Sequence, residues 1–260
     1  MSARRLLAAD IGNSHTVLGL IRDGDVSADW RVATVESRTA DEWAVLIRGL
    51  LGDRLDGVEG IVVCATVPSV LQAWRSMLGE HFADLPSVVV EPGTRTGVPV
   101  LTDNPREVGT DRIVNALAAA TLYGGPAVVV DFGGTATTFD VVNADGQYVG
   151  GAISPGIEIS LEALERRGAQ LRMVEIRRPR TVIARNTVEA LQSGMVFGVA
   201  SQVDGIVSRM LVELGGDPDA VTVVATGYLA GLVIEECDCF TVSAPWLTLQ
   251  GLEMVYARNA

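Results

Sequence analysis

Two stretches of this chain hold the residue types that grip a phosphate together with its metal. In Leu6-Leu7-Ala8-Ala9-Asp10-Ile11-Gly12-Asn13-Ser14-His15-Thr16-Val17 an apolar run ends on a carboxylate, turns at a glycine and restarts with polar residues. The design returns in Ala127-Val128-Val129-Val130-Asp131-Phe132-Gly133-Gly134-Thr135-Ala136-Thr137-Thr138. Glycine permits the close backbone approach of a tight turn. Backbone N–H groups and hydroxyls then face whatever lies over the turn, with the aspartate beside them to hold a cation. A single copy also fits an ordinary Asp-Gly turn capped by Asn13. Two copies make an internal repeat, which constrains the whole fold.

A third grouping, Gly109-Thr110-Asp111-Arg112, sets a carboxylate beside a guanidinium. A carboxylate within hydrogen-bond reach can take the proton of an attacking alcohol, and a guanidinium binds a substrate carboxylate bidentately. On composition alone the pair reads rather as a solvated helix face, which is how most Asp-Arg neighbours behave. Asn186-Thr187 opens a long helical stretch, and capping by either residue accounts for it locally.

The rest of the composition narrows the function classes. A chain of 260 residues, 48% hydrophobic and 20% charged, has material for two cores. Its net charge of −12 argues against a nucleic-acid or anionic-membrane surface. The few cations serving an anionic substrate must therefore be concentrated locally. Cys64, Cys237 and Cys239 are odd in number and lack CxxC spacing, so neither a disulfide framework nor a zinc site is indicated. Cys237 and Cys239 alternate along an expected strand as packing residues. Met1 to Ala9 carries two arginines and a few apolar residues and is ended by Asp10, short of a signal-peptide core, and no apolar stretch approaches membrane-spanning length. A cytoplasmic protein is expected.

Positioning these groups falls to alternating strands and helices. Strands are expected over Arg5 to Asp10, Thr16 to Ile21 and Val26 to Ala33, with a hairpin at Asp23-Gly24-Asp25. Thr39-Ala40-Asp41-Glu42 reads as a capped helix start with Trp43, Leu46, Ile47, Leu50 and Leu51 on the apolar face. Gly60 to Cys64 and Ser87 to Glu91 are strands around a helix opened by Pro68. After a Pro- and Gly-rich connection, a helix is expected from Pro105 to Tyr123, interrupted early at Gly109. Gly124-Gly125-Pro126 divides the halves, giving domains 1–123 and 124–260. In the second half strands are expected at Ala127 to Asp131, Ala136 to Val142 and Gln147 to Ile153. Helices follow near Ile157 to Arg167 and Thr187 to Leu214. Val221 to Ala225, a helix after Gly227, a strand Cys239 to Val242 and a helix from Pro245 complete it. This order implies two α/β domains with mixed sheets and a ligand in the cleft between them.

Paired halves with an Asp-x-Gly turn in each resemble the acetate and sugar kinase/Hsp70/actin superfamily, that is, duplicated ribonuclease H-like (actin-like ATPase) domains. Within it the chain closely resembles the type III pantothenate kinases. The resemblance is carried by Asp10-Ile11-Gly12-Asn13-Ser14, Asn104-Pro105, Gly109-Thr110-Asp111-Arg112, Asp131-Phe132-Gly133-Gly134-Thr135, Gly150-Gly151-Ala152-Ile153-Ser154-Pro155-Gly156, Asn186-Thr187, Ser193-Gly194 and Thr226-Gly227. They lie in order along nearly the whole chain.

The resemblance implies ATP-dependent phosphorylation of pantothenate to 4′-phosphopantothenate in coenzyme A synthesis. Asp111 is then the general base, and Gly109, Thr110, Asp111, Arg112 and Thr187 bind pantothenate. Asp10, Ile11, Gly12, Asn13, Ser14, His15, Thr16 and Val17, with Gly134 and Thr135, form the ATP-binding set. His15 takes no catalytic part. Asp10 helps to hold Mg²⁺ and Asp131 a monovalent cation, K⁺ or NH₄⁺. Thr187 acts from a neighbouring subunit, so a homodimer is expected. Three departures stand out. Gly134 is an extra glycine before Thr135, Thr102 stands where the family commonly has tyrosine, and Tyr228 stands where it often has glycine. A non-catalytic accessory or ligand-sensing relative, and another superfamily activity such as an acetate or sugar kinase or an exopolyphosphatase, are the alternatives.

Overall fold

The computed structural model describes residues 5–167 and 174–260; Met1 to Arg4 of the N-terminal run lie outside them. The first unit is built on β1 (Leu6–Ile11), β2 (His15–Arg22), β3 (Asp25–Ala33), β4 (Gly60–Ala65) and β5 (Ser87–Val89). They form one sheet in the order β3-β2-β1-β4-β5, with β1 antiparallel to β2 and parallel to β4. Two helices, α1 (Ala40–Leu51) and α2 (Pro68–His81), supply the connections. The expected cap on α1 is present: Thr39 accepts from the Glu42 amide while the Glu42 carboxylate accepts from the Thr39 amide. Alternation then sorts the sheet's faces. Leu7, Ala9 and Ile11 join Trp43, Ile47, Trp74 and Met77 in a buried core, where the two indoles lie 5.3 Å apart. Leu6, Ala8 and Asp10 occupy the other face.

A second sheet repeats the plan with β6 (Ala127–Phe132), β7 (Ala136–Val142), β8 (Tyr148–Pro155), β9 (Thr222–Thr226) and β10 (Val242–Ser243). Its order is β10-β9-β6-β7-β8, with the same antiparallel and parallel neighbours around the strand that ends in aspartate. Val128, Val130 and Phe132 pack in a core with Ile157 of α4 (Ile157–Arg167) and Met195, Val196, Val203 and Val207 of α5 (Thr187–Leu214). Asp131 therefore points to the opposite face, as Asp10 does in its own sheet.

Several expectations need correction. The helix expected from Pro105 splits into a 3₁₀ turn, Pro105–Glu107, and α3, Thr110–Leu122, because Val108 between them is extended. The helix after Gly227 is two 3₁₀ turns, Ala230–Leu232 and Ile234–Glu236. The strand through Cys239 shrinks to Val242–Ser243, since the Asp204 carboxylate takes the amide hydrogens of Asp238 and Cys239. Both cysteines pack against the second core all the same. Among the described residues one helix is, by length and composition, able to cross a membrane: the 28-residue α5. Its inner face is the core just described, so this is weak evidence of a span. The closing helix α6 (Leu247–Asn259) groups with the first unit, which comprises Met1–Val98, Asp103–Ala118 and Trp246–Ala260. It lies on the Asp10 face, where Gly19 and Gly60 leave room for Leu249 and Tyr256. The second unit is Pro99–Thr102 with Ala119–Pro245, so the division differs from a single cut after residue 123.

Candidate active site

In the first unit the β1–β2 register pairs Asp10 with Val17 and Ile11 with Thr16, which makes Gly12, Asn13, Ser14 and His15 the turn. The Gly12 amide closes it on the His15 carbonyl at 3.0 Å. Asn13 is exposed, while Thr16 is buried and shares a 2.9 Å hydrogen bond with Thr34. Asp10 lies beside Cys64, its partner on the parallel strand β4, and the thiol donates to Asp10 Oδ1 at 3.2 Å. Burial pushes the Cys64 thiol well up, and the negative charges of Asp10 and Asp111 push it the same way. The thiol therefore stays protonated, a donor to a carboxylate that is expected to face a metal.

Asp111 stands in the first turn of α3, where a helix N-terminus favours a carboxylate. Its position there depends on the break at Val108; a helix continuous from Pro105 would have buried these amides in its interior. Asp111 Oδ1 and Thr110 Oγ1 are both buried without a hydrogen-bond partner. Burial raises the Asp111 carboxyl above its ordinary value, against the opposing pull of the Arg112 amide and guanidinium. A buried acceptor left open in this way has room for a donor from outside the chain, and a hydroxyl to be deprotonated is such a donor. Gly109 makes the arrangement possible. A Cβ there would lie impossibly close to Asp111 Oδ1, so the carboxylate folds back over the glycine. Asp10, Cys64 and Asp111 are thus gathered in one unit.

The second unit carries the matching turn. Phe132 pairs with Thr137 and Asp131 with Thr138, so Gly133, Gly134, Thr135 and Ala136 fill a turn of the same length as the first. Overlaying the two registers sets Gly134 against Asn13 and Thr135 against Ser14. Asp131 is paired across the parallel ladder with Thr226, the counterpart of Cys64. Unlike that thiol, the Thr226 hydroxyl is buried with no partner. Gly227, at φ 89°, brings the chain so close to Asp131 and Phe132 that no side chain fits. Asp140, fully buried two strand positions beyond Thr138, accepts from Tyr148 and Thr138 at 2.9 Å each and belongs to the sheet's interior. Thr187 is exposed at the head of α5, and the capping bond falls to Asn186, which accepts from the Glu189 amide at 2.9 Å. Thr102, half-buried with its hydroxyl oxygen enclosed and without a partner, also lies in this unit.

Sequence reasoning passed over Glu158 and gave Cys64 no site role; Thr226 was named only within the Thr226-Gly227 motif and Tyr228 only as a departure from the family pattern. For Cys64 a signal existed, since it ends the expected strand Gly60 to Cys64. For the meeting of Glu158 with Tyr228, far apart in the chain, none did.

The family model described as type III pantothenate kinase matches residues 6–209. A type III pantothenate kinase of Nocardioides sp. is 72% identical over 255 residues, covering 98% of this chain and 99% of that protein. One from Streptomyces coelicolor is 59% identical over 261 residues, with 98% of each covered. Among solved structures, a conserved Baf family transcriptional activator from Campylobacter jejuni superposes with a TM-score of 0.59 at 17% identity, over 97% of this chain and 98% of that one. The activator of 2-hydroxyisocaproyl-CoA dehydratase from Clostridium difficile gives 0.56 at 11% identity, over 97% and 94%. The fold is thus the duplicated actin-like one.

Proposed function

The chain belongs to the type III pantothenate kinase family, and on that premise we propose that it transfers the γ-phosphate of ATP to the hydroxyl of pantothenate. The product is 4′-phosphopantothenate, in the first step of coenzyme A synthesis. Asp111 is the base. The observation that carries this is its buried, unpartnered Oδ1 on a carboxyl whose proton affinity burial has raised. Such an oxygen accepts the pantothenate hydroxyl's hydrogen bond and takes its proton as the oxygen attacks phosphorus. Arg112 binds the pantothenate carboxylate, and Gly109 and Thr110 line the same pocket.

The polar restart of each turn receives ATP phosphates. Gly12 to Val17 does so in the first turn and Gly134 with Thr135 in the second. Asp10 supplies a hard oxygen for Mg²⁺, which suits that ion, and the Cys64 thiol orients it. Asp131 and the open Thr226 hydroxyl suit a monovalent cation, K⁺ or NH₄⁺; bound there, it would offset phosphate charge. Thr187 completes the pantothenate pocket of a second copy in a homodimer. Val182, Ile183 and Val188, exposed around it, offer that copy apolar surface. The enzyme would act in the cytoplasm. No observation favours the accessory role.

Coupled ADP release tests the reading. With Mg²⁺ and K⁺ the protein should release ADP only when pantothenate is present, and less with Na⁺ in place of K⁺. Pantothenate-independent ADP release, or none at all, refutes it.

A further inference from the structure

Two of the departures from the family pattern meet in space. Tyr228 Oη donates to Glu158 Oε2 at 2.7 Å, and both atoms occupy the space that a side chain on Gly134 would take. A Cβ at 134 would be driven into the hydroxyl and the carboxylate at once. The extra glycine and the tyrosine are therefore one feature: the glycine admits the pair.

Around that contact the second turn is held by its oxygens. The Gly156 amide donates to the Thr135 carbonyl at 2.9 Å and the Ile159 amide to the Gly134 carbonyl at 3.3 Å. From the other side the Leu229 amide donates to the Phe132 carbonyl at 3.3 Å. A trans peptide points its N–H opposite to its C=O. Drawing the Gly134 carbonyl toward the start of α4 therefore turns the Thr135 N–H the other way, and with it the donor face of the turn. Glu158 begins α4 and Tyr228 follows β9, so their hydrogen bond ties together the two segments that supply these amides.

We propose that Tyr228 and Glu158 are positioning residues: a clasp that fixes the Gly134–Thr135 peptide and thereby sets the affinity for nucleotide phosphates. This rests on the reading that the second turn takes ATP phosphate. The clasp touches the turn at Gly134 and is assigned no part in phosphoryl transfer.

The test is equilibrium binding of a fluorescent ADP with Mg²⁺ to the full chain, alongside steady-state KM values and thermal melting. Tyr228→Phe should weaken nucleotide binding and raise KM for ATP by about tenfold, the scale of one lost hydrogen bond to a charged group. KM for pantothenate and Tm should hold. Glu158→Gln, which still accepts from the hydroxyl, should fall between wild type and Tyr228→Phe. Gly134→Ala should weaken binding by more than tenfold in the native background. In a Tyr228→Gly/Glu158→Ala background, where neither atom opposes the new methyl, it should cost less than about twofold; this is non-additivity of touching residues. Unchanged nucleotide affinity in Tyr228→Phe, or an equal cost of Gly134→Ala in both backgrounds, overturns the clasp. If Gly134→Ala does not fold, Tyr228→Phe decides alone. Wild-type protein that binds the nucleotide without phosphorylating pantothenate refutes the function and leaves the clasp standing on the binding data.

Discussion

Replacing Gly109 by alanine separates catalysis from stability. The new Cβ would fall well inside 3.0 Å of Asp111 Oδ1, whereas ordinary contacts begin at 3.4 Å. The carboxylate is the free end of a side chain, so it yields by withdrawing about 1 Å, a misplacement that costs on the order of 10²-fold in rate. That is about 3 kcal/mol of activation free energy. Stability should hardly change. Gly109 does not adopt a positive φ, and alanine restricts the unfolded chain, which offsets any local strain. Coupled ADP release should show kcat down about a hundredfold with KM for ATP within about twofold, and the melting temperature held. A variant turning over within about threefold of wild type would mean that the carboxylate need not sit where Gly109 lets it, and Asp111 would lose its role as base.

Asp111→Asn should cut turnover by about 10² or more, and it carries a sign in stability. A carboxyl with a raised folded-state pKa stabilises the fold while protonated and loses that contribution as pH rises through the folded value. The variant should therefore melt higher than wild type at neutral pH, with the gap closing in acid; a lower melting temperature at neutral pH contradicts the burial argument. Cys64→Ala should raise KM for MgATP about fivefold through a loosened Asp10, and Cys64→Ser should restore it; equal values for both rule out the thiol's orienting role. If K⁺ binds beside Asp131, adding it should raise the wild-type melting point, and Thr226→Val should abolish that rise while leaving the ion-free melting point unchanged or higher, because a buried hydroxyl without a partner is removed. Persistence of the K⁺ effect assigns the cation elsewhere. Asp111→Asn and Thr187→Ala copies should each be inactive alone, and mixing them with subunit exchange should regenerate about a quarter of the sites if Thr187 acts across a dimer. No recovery places Thr187 in its own chain's site or outside any.

What could be read from the sequence was local. β1 and β6 announce themselves as apolar runs ending in Asp10 and Asp131, and the Thr39–Glu42 cap and the length of α5 follow from short-range rules. Asp111 stands out in the sequence through its motif, but its environment does not: the open Oδ1 depends on Val108 breaking the helix and on Gly109 receiving the carboxylate. The strand expected through Cys239 failed because Asp204, more than thirty residues away, takes two amides the ladder needed. Gly134 looked like an oddity in a linear pattern. Strand register shows it instead as the counterpart of Asn13, and its neighbour Tyr228 is brought there by β9.

The last helix of the chain completes the first sheet. Until residues 247–259 have left the ribosome, the Gly19 and Gly60 side of that sheet lacks Leu249 and Tyr256, so strands made early must wait for a helix made more than 150 residues later. Nascent chains lacking this tail would show an unprotected apolar surface to chaperones. Cutting the gene at its apparent midpoint would separate a sheet from its own lining.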